Sequence, residues 1–248
     1  MTALATINEA EQRINVALAI PALPRTLVLD PPLTDQQFEQ LCMRNDQAQL
    51  ERTKEGKIIV NALAAAGTGD ANAEIITQLR MWWKQHRRGR VFDSSTGFFL
   101  PDGSSMSPDA AYITAEQAGS LRREDLDHFL NCAPAFVIEL RSRNDSLAAL
   151  KQKLAEWIAN GAQLGWLIDP NSRTVFVFEA GSFDRGQESR AVKDNTIAGI
   201  GPVEGFVLDL DEVWNSYKAL SFTPPPLPQL SLPPGETPAP SSPPIPSD

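Results

Sequence analysis

Only two cysteines, Cys42 and Cys132, and two histidines, His86 and His128, occur among 248 residues. The cysteines offer neither a disulfide framework nor a zinc motif, and a reducing cytoplasm is the compartment that fits. Two histidines leave little material for a histidine-rich metal site or a Ser-His-Asp arrangement. No apolar run approaches the ~18 residues of a membrane span. The opening stretch MTALATINEAEQRI lacks the basic start and apolar run of a signal peptide. A soluble cytoplasmic protein with no membrane partner is expected. Cationic charge is also scarce, with 22 Lys and Arg against 31 Asp and Glu and a net charge of -9. This balance counts against gripping nucleic acid over the whole surface. It does not exclude a locally basic cleft, or one whose field is set by a bound divalent ion.

What is present divides into three parts. Residues 1–26 read as an N-terminal arm, with one amphipathic helix over Ile7–Ile20 stopped by Pro21. Residues 27–222 carry the alternating strand and helix patterns of a globular domain. From Thr223 to Asp248 eleven of twenty-six residues are proline. That composition builds no packed core and predicts an extended tail, or a polyproline ligand for an unknown partner.

Within the domain, Thr34 followed by Gln37 is a capping-box pattern and starts a short helix to about Asn45. LERT and KIIV around Gly56 read as a hairpin. Asp70 is positioned to cap a helix with Ala71, Ile75, Leu79, Trp82 and Trp83 on its apolar side. The basic run KQHRRGR at the end of that helix suits the macrodipole or a phosphate-attracting rim. RVFDSSTGFFL reads as strand, bend and strand. AAYI and Ala135–Arg141 read as further strands, with a loop of helical turns between them. Asp145 or Ser146 caps a helix running to about Asn160, with Leu147, Leu150, Leu154, Trp157 and Ile158 as its buried stripe. GWLID and TVFVFEA form a second hairpin. The expected fold is mixed α/β, with a central mixed sheet flanked by helices.

The chemistry concentrates between Pro108 and Pro170. Asp109 follows Pro108 before an apolar strand, and Glu139 interrupts the apolar run Phe136-Val137-Ile138. A carboxylate on an apolar strand is costly unless it is paired or metal-bound. Lys151 and Lys153 flank the buried stripe of the following helix. Two carboxylates and an amine suit metal-dependent phosphodiester hydrolysis, since carboxylate oxygens hold hard cations and an ammonium stabilises developing negative charge. The plainer readings are a turn acid for Asp109, a strand-end acid paired with Arg141 for Glu139, and a solvated helix lysine for Lys153.

The order Pro-Asp, glutamate, lysine resembles the PD-(D/E)xK nuclease superfamily. FDSSTGF, SPDAAYI, FVIELRS, NDSLAALKQKLAEW, NGAQLGWLIDP and GFVLDL are similar to one bacterial branch, the putative restriction endonucleases. The resemblance spans about residues 30–215 and is most specific over 91–170. It implies a restriction-endonuclease-like core, an endonuclease (a hydrolase acting on phosphodiester bonds), Mg²⁺ or Mn²⁺ as cofactor, DNA as substrate and a homodimer. It assigns Asp109 and Glu139 as metal ligands and Lys153 as the catalytic amine. In the superfamily pattern the lysine lies two positions after the glutamate, and here that position is Arg141, which stays protonated and forks onto phosphates. The branch moves the lysine to the next helix, where Lys153 matches and Lys151 is the weaker substitute. Trp157 stands where the family often has tyrosine. Glu74, Asp93 and Arg141 are candidate additional site residues, while Glu51 reads as a surface acid of the first hairpin. Arg143-Asn144 and Val60-Asn61-Ala62-Leu63 depart from the family pattern in loops. The alternative is a catalytically inert dimeric domain that keeps the nuclease fold to bind protein or nucleic acid.

Overall fold

The computed structural model describes residues 4–5, 25–181 and 190–218. The expected helix over Ile7–Ile20 and the proline-rich tail lie outside the described residues. In chain order the strands and main helices are β1 (Leu4–Ala5), β2 (Arg25–Leu29), α1 (Asp35–Arg44), β3 (Gln49–Arg52), β4 (Ile58–Asn61) and α2 (Ala66–His86). They continue as β5 (Arg90–Asp93), β6 (Phe98–Phe99), β7 (Ser105–Met106), β8 (Ala110–Ile113), α3 (Ala115–Gly119), β9 (Phe136–Leu140) and α4 (Leu147–Ala159). Last come β10 (Leu164–Asp169), β11 (Thr174–Glu179), β12 (Arg190–Val192), β13 (Thr196–Ala198), β14 (Val207–Asp209) and α5 (Leu210–Asn215).

The central sheet has the order β12-β11-β10-β9-β8-β5. It is mixed: β9 and β10 are parallel and the other pairs antiparallel. The parallel pair needs a crossover, which α4 supplies. Side chains alternate across the sheet. Phe136, Ile138 and Leu140 join Ala71, Ile75 and Leu79 of α2 in one core. Val137 and Leu167 join Leu154, Trp157 and Ile158 of α4 in a second. Helices therefore cover both faces of a mixed sheet, as expected.

A second six-stranded sheet, β1-β2-β4-β3-β7-β6, was not anticipated. The first hairpin pairs with β7 through Arg52 and Ser105 instead of joining the central sheet. Its apolar face, Leu27, Leu29, Ile58 and Val60, packs on Phe38 and Leu41 of α1. The alternation along β3 sends Arg52 toward Phe38 and Phe99, where its guanidinium lies 5.2 and 5.6 Å from the ring centroids. Arg52 also pairs with Asp35. Glu51 is thereby directed to the opposite face.

Local signals set several boundaries. Thr34 and Gln37 form the reciprocal capping box of α1, and Ser146 caps α4 through the Ala149 N–H. Gly56 turns the first hairpin at φ 78°. One boundary differs: α2 begins at Ala66 with Ala65 as its cap, one turn before Asp70. The turn Ala66-Gly67-Thr68-Gly69 is helical despite its two glycines, which are poor helix formers: the Gly69 N–H bonds the Ala65 carbonyl at 2.9 Å and Thr68 is buried.

Candidate active site

Four elements from the two sheets and one helix converge at one place. Asp109 immediately precedes β8, where Ala110 pairs with Ile138 and Ala111 with Val137. That register sets Asp109 beside Glu139, with both side chains on the α4 face. Asp109 Oδ2 accepts the backbone N–H of Leu140 at 2.7 Å. Its other oxygen makes no hydrogen bond among the described residues.

Lys153 projects from α4 into the same place. Its Nζ lies 2.9 and 3.0 Å from the two carboxylate oxygens of Glu139. It also lies 2.8 Å from Glu51 Oε1 and donates to the Ser107 carbonyl at 3.0 Å. Trp157, one helical turn along α4, donates its indole N–H to Glu139 Oε1 at 2.9 Å. Glu51 Oε1 accepts the Ser107 N–H at 3.1 Å, and its Oε2 accepts from Asn61 at 3.3 Å. Lys151, the weaker substitute, turns away and places its ammonium 3.9 Å from the Phe176 ring centroid.

Glu51 is not the surface acid expected of the first hairpin. It is only 6% exposed and forms part of the cluster. Its hairpin docks against the segment before β8 through Ser107, which removes it from solvent. The local signal was an acid between the buried residues Leu50 and Arg52, but only the long-range docking gives it a partner.

The three candidate additions do not join the cluster. Glu74 accepts from Gln78 on its own helix, and Gln78 in turn bonds the backbone at Asp209. Asp93 is exposed and closes a turn by accepting from the N–H and hydroxyl of Ser95. Arg141 reaches the other way, to Asp169 at 3.1 Å and the Asp145 carbonyl at 3.1 Å. The expected Glu139–Arg141 pairing is thus replaced by Glu139–Lys153 and Arg141–Asp169.

Burial dominates the electrostatics. It pushes the Glu139 carboxyl up to about 8, against the pull of the Lys153 ammonium, with Asp109 and Glu51 adding repulsion. Burial also raises Asp109, partly offset by the Leu140 N–H and by Lys153. Burial alone would depress the Lys153 ammonium, but Glu139 and Glu51 outweigh it and hold the ammonium well above the usual lysine value. Three acids thus face one firmly charged cation, an excess of negative charge that a proton or a second cation relieves.

The donor chemistry fits a hard divalent cation, because every candidate ligand is a carboxylate oxygen. Glu139 is buried, the adjacent Asp109 is half-buried, and Asp109 has one oxygen without a hydrogen bond among the described residues. As arranged, no three acidic, histidine or cysteine side chains among the described residues enclose an ion. The Lys153 ammonium stands between Glu51 and Glu139.

Fold and cluster together define a class: a mixed α/β domain of nuclease fold with buried acids gathered on a helix-borne lysine. The chain belongs to the family described as "Putative restriction endonuclease", whose profile matches residues 35–211. It is also similar to a crystal structure of a putative nuclease from Anabaena variabilis. The TM-score is 0.60 at 21% identity, over 75% of this chain and 99% of that one. No curated protein matches the chain. No helix among the described residues is long and apolar enough to cross a membrane.

Proposed function

We propose that this protein is a Mg²⁺- or Mn²⁺-dependent DNA endonuclease that hydrolyses phosphodiester bonds at the Asp109–Glu139–Lys153 cluster and acts as a homodimer in the cytoplasm. The observation that carries this reading is the convergence of Glu51, Asp109 and Glu139 on Lys153 at the junction of two sheets. A buried acid cluster of this kind is a poor source of stability, because desolvation consumes much of the attraction between the charges. A role in chemistry accounts for keeping it.

Asp109 and Glu139 would hold the cation, which supplies Lewis acidity and lowers the pKa of bound water. Glu139 must lose its proton to act as a ligand, so cation binding strengthens as pH rises toward 8. Lys153 keeps its proton. It acts as a hydrogen-bond donor and fixed positive charge toward the phosphate, not as a general base. Glu51 positions the Lys153 ammonium, and Trp157 fixes the Glu139 carboxylate through the indole N–H. Arg141 braces the end of β9 against Asp169, so a phosphate contact from it requires breaking that pair.

The alternative, an inert binding domain of the same fold, is favoured by the net charge of -9. Isothermal titration with Mn²⁺ separates the two. The nuclease reading expects saturable binding that Asp109→Asn abolishes and that tightens between pH 6.5 and 8. Binding that is absent, or unchanged in Asp109→Asn, favours the inert domain.

A further inference from the structure

The C-terminal end of α2 carries cations that the cluster does not use. Arg80, Lys84, Arg87, Arg88 and Arg90 are all exposed, and no acid lies between Glu74 and Asp93. None of the five forms a salt bridge among the described residues. In a chain of net charge -9, such a stretch is a local reversal of sign. The helix macrodipole accounts for Lys84 and His86 in the last turn. It does not account for Arg80, more than a turn earlier, or for Arg88 and Arg90 beyond the cap.

Two features show that the surface is built. The Trp83 ring carries two guanidinium groups, Arg80 at 4.3 Å and Arg87 at 5.8 Å from its centroid. Its indole N–H is fixed on the Gly89 carbonyl at 2.9 Å. The tryptophan thus holds long side chains that would otherwise sweep through solvent. Arg87 itself occupies the helix C-cap at φ 54° and ψ 30°, a left-handed conformation for which glycine is the favoured residue. An arginine is kept there despite the steric cost.

The location is also defined. A Cβ on Gly89 would lie 2.0 Å from the Ile113 carbonyl oxygen, so the basic segment abuts the end of β8. Asp109 lies at the opposite end of β8, roughly 13 Å away at the strand rise. The two also lie on opposite faces of the central sheet, α2 packing on the Phe136, Ile138 and Leu140 side and Asp109 lying on the α4 side. The surface and the cluster therefore do not contact the same phosphate.

We propose that Arg80, Lys84, Arg87, Arg88 and Arg90 form a sequence-independent docking surface for the sugar-phosphate backbone of duplex DNA, away from the cleavage cluster. This rests on the nuclease reading and deepens it by naming where the substrate backbone is held. Guanidinium groups suit phosphate oxygens because their N–H donors match them in pairs. Contacts of this kind position the duplex without reading its sequence.

The test is fluorescence anisotropy of a 30-base-pair duplex in EDTA, across a salt series, with the full chain. Arg87→Gly suits the backbone conformation while removing the guanidinium. Its melting temperature should stay equal or rise, and its affinity for DNA should fall. The triple variant Lys84→Gln, Arg87→Gly, Arg88→Gln should bind at least tenfold more weakly. Its slope of log K against log salt should shrink by about 2 to 3, at about 0.9 for each phosphate no longer neutralised. Equal affinity and slope in wild type and triple variant overturn the proposal. So does competition by polyglutamate as effective as that by unlabelled duplex, which would make the surface a dock for acidic protein segments. DNA binding through this surface without metal-dependent cleavage supports the docking surface and counts against the nuclease reading. Cleavage with unaltered binding in the variant does the reverse.

Discussion

Replacing Glu139 with glutamine should stabilise the metal-free protein at alkaline pH. Glu139 is 3% exposed and burial pushes its carboxyl from 4.5 up to about 8. A raised folded-state value means that the folded protein holds the proton more tightly than the unfolded chain. The stability contributed by this group is therefore complete below pH 4.5 and is lost as pH rises through about 8. The full shift corresponds to an upper bound of about 5 kcal/mol at 1.36 kcal/mol per pH unit. The pull of Lys153 is already contained in that shift, and relaxation and water penetration around the ionised group reduce the cost, so the difference expected between wild type and variant is on the order of a few kcal/mol. Glutamine keeps the shape and an oxygen to accept from Trp157 or Lys153, but cannot ionise. Thermal melts in EDTA at pH 5, 6.5 and 8.5 should show near-equal Tm at pH 5. At pH 8.5 the variant should be higher by roughly 5–10 °C, at about 2–4 °C per kcal/mol for a domain of this size. A Tm difference independent of pH would refute the buried-acid argument. A variant that loses ground as pH rises would show instead that ionised Glu139 stabilises the fold through Lys153.

Other perturbations test the supporting geometry. Glu51→Gln should lower kcat at least tenfold while leaving Tm within a few degrees, as followed by plasmid nicking and thermal melting. Trp157→Phe removes the indole donor to Glu139 and should cost about 0.5–1.5 kcal/mol in urea unfolding below pH 8, the usual range for a hydrogen bond to a neutral group, since Glu139 holds its proton there. Gly165→Ala places a Cβ 2.4 Å from Leu154 Cδ1 on α4. It should destabilise the fold by about 1–3 kcal/mol and lower kcat by shifting the neighbouring Lys153, whereas cleavage unaffected by the substitution would mean that α4 gives way without moving the lysine. Deleting residues 223–248 should leave Tm unchanged, because that composition builds no core. A fall of several degrees would show that the segment docks.

The parts legible in sequence are those whose cause is local. The capping box at Thr34, the apolar stripe of α4 and the Trp166–Val177 hairpin pairing each depend on residues close in the chain. The spacing of Lys153 from the buried stripe was also readable, and so was the cost of an acid on the apolar strand β9. Glu51 was not, because its burial depends on the first hairpin docking against Ser107, 56 residues later. The second sheet was missed for the same reason: β3 finds its partner in β7 rather than in a neighbouring segment. Asp70 is a suitable cap by residue type, but the Ala66-Gly67-Thr68-Gly69 turn before it is itself helical, with Thr68 buried, and neither is evident from a sequence that holds two glycines there. Arg141 and Glu139 share a strand face, yet each finds a nearer opposite charge on another element.

The central claim is that the acid–lysine cluster cuts DNA with a divalent cation. The direct measurement is cleavage of supercoiled plasmid by wild type, Asp109→Asn and Lys153→Met, with Mn²⁺, Mg²⁺ or EDTA, each variant first shown to be folded. The account predicts cation-dependent nicking by wild type, abolished by EDTA and reduced at least a hundredfold in both variants. Cleavage that persists in folded Asp109→Asn or Lys153→Met, or that is indifferent to EDTA, would contradict it.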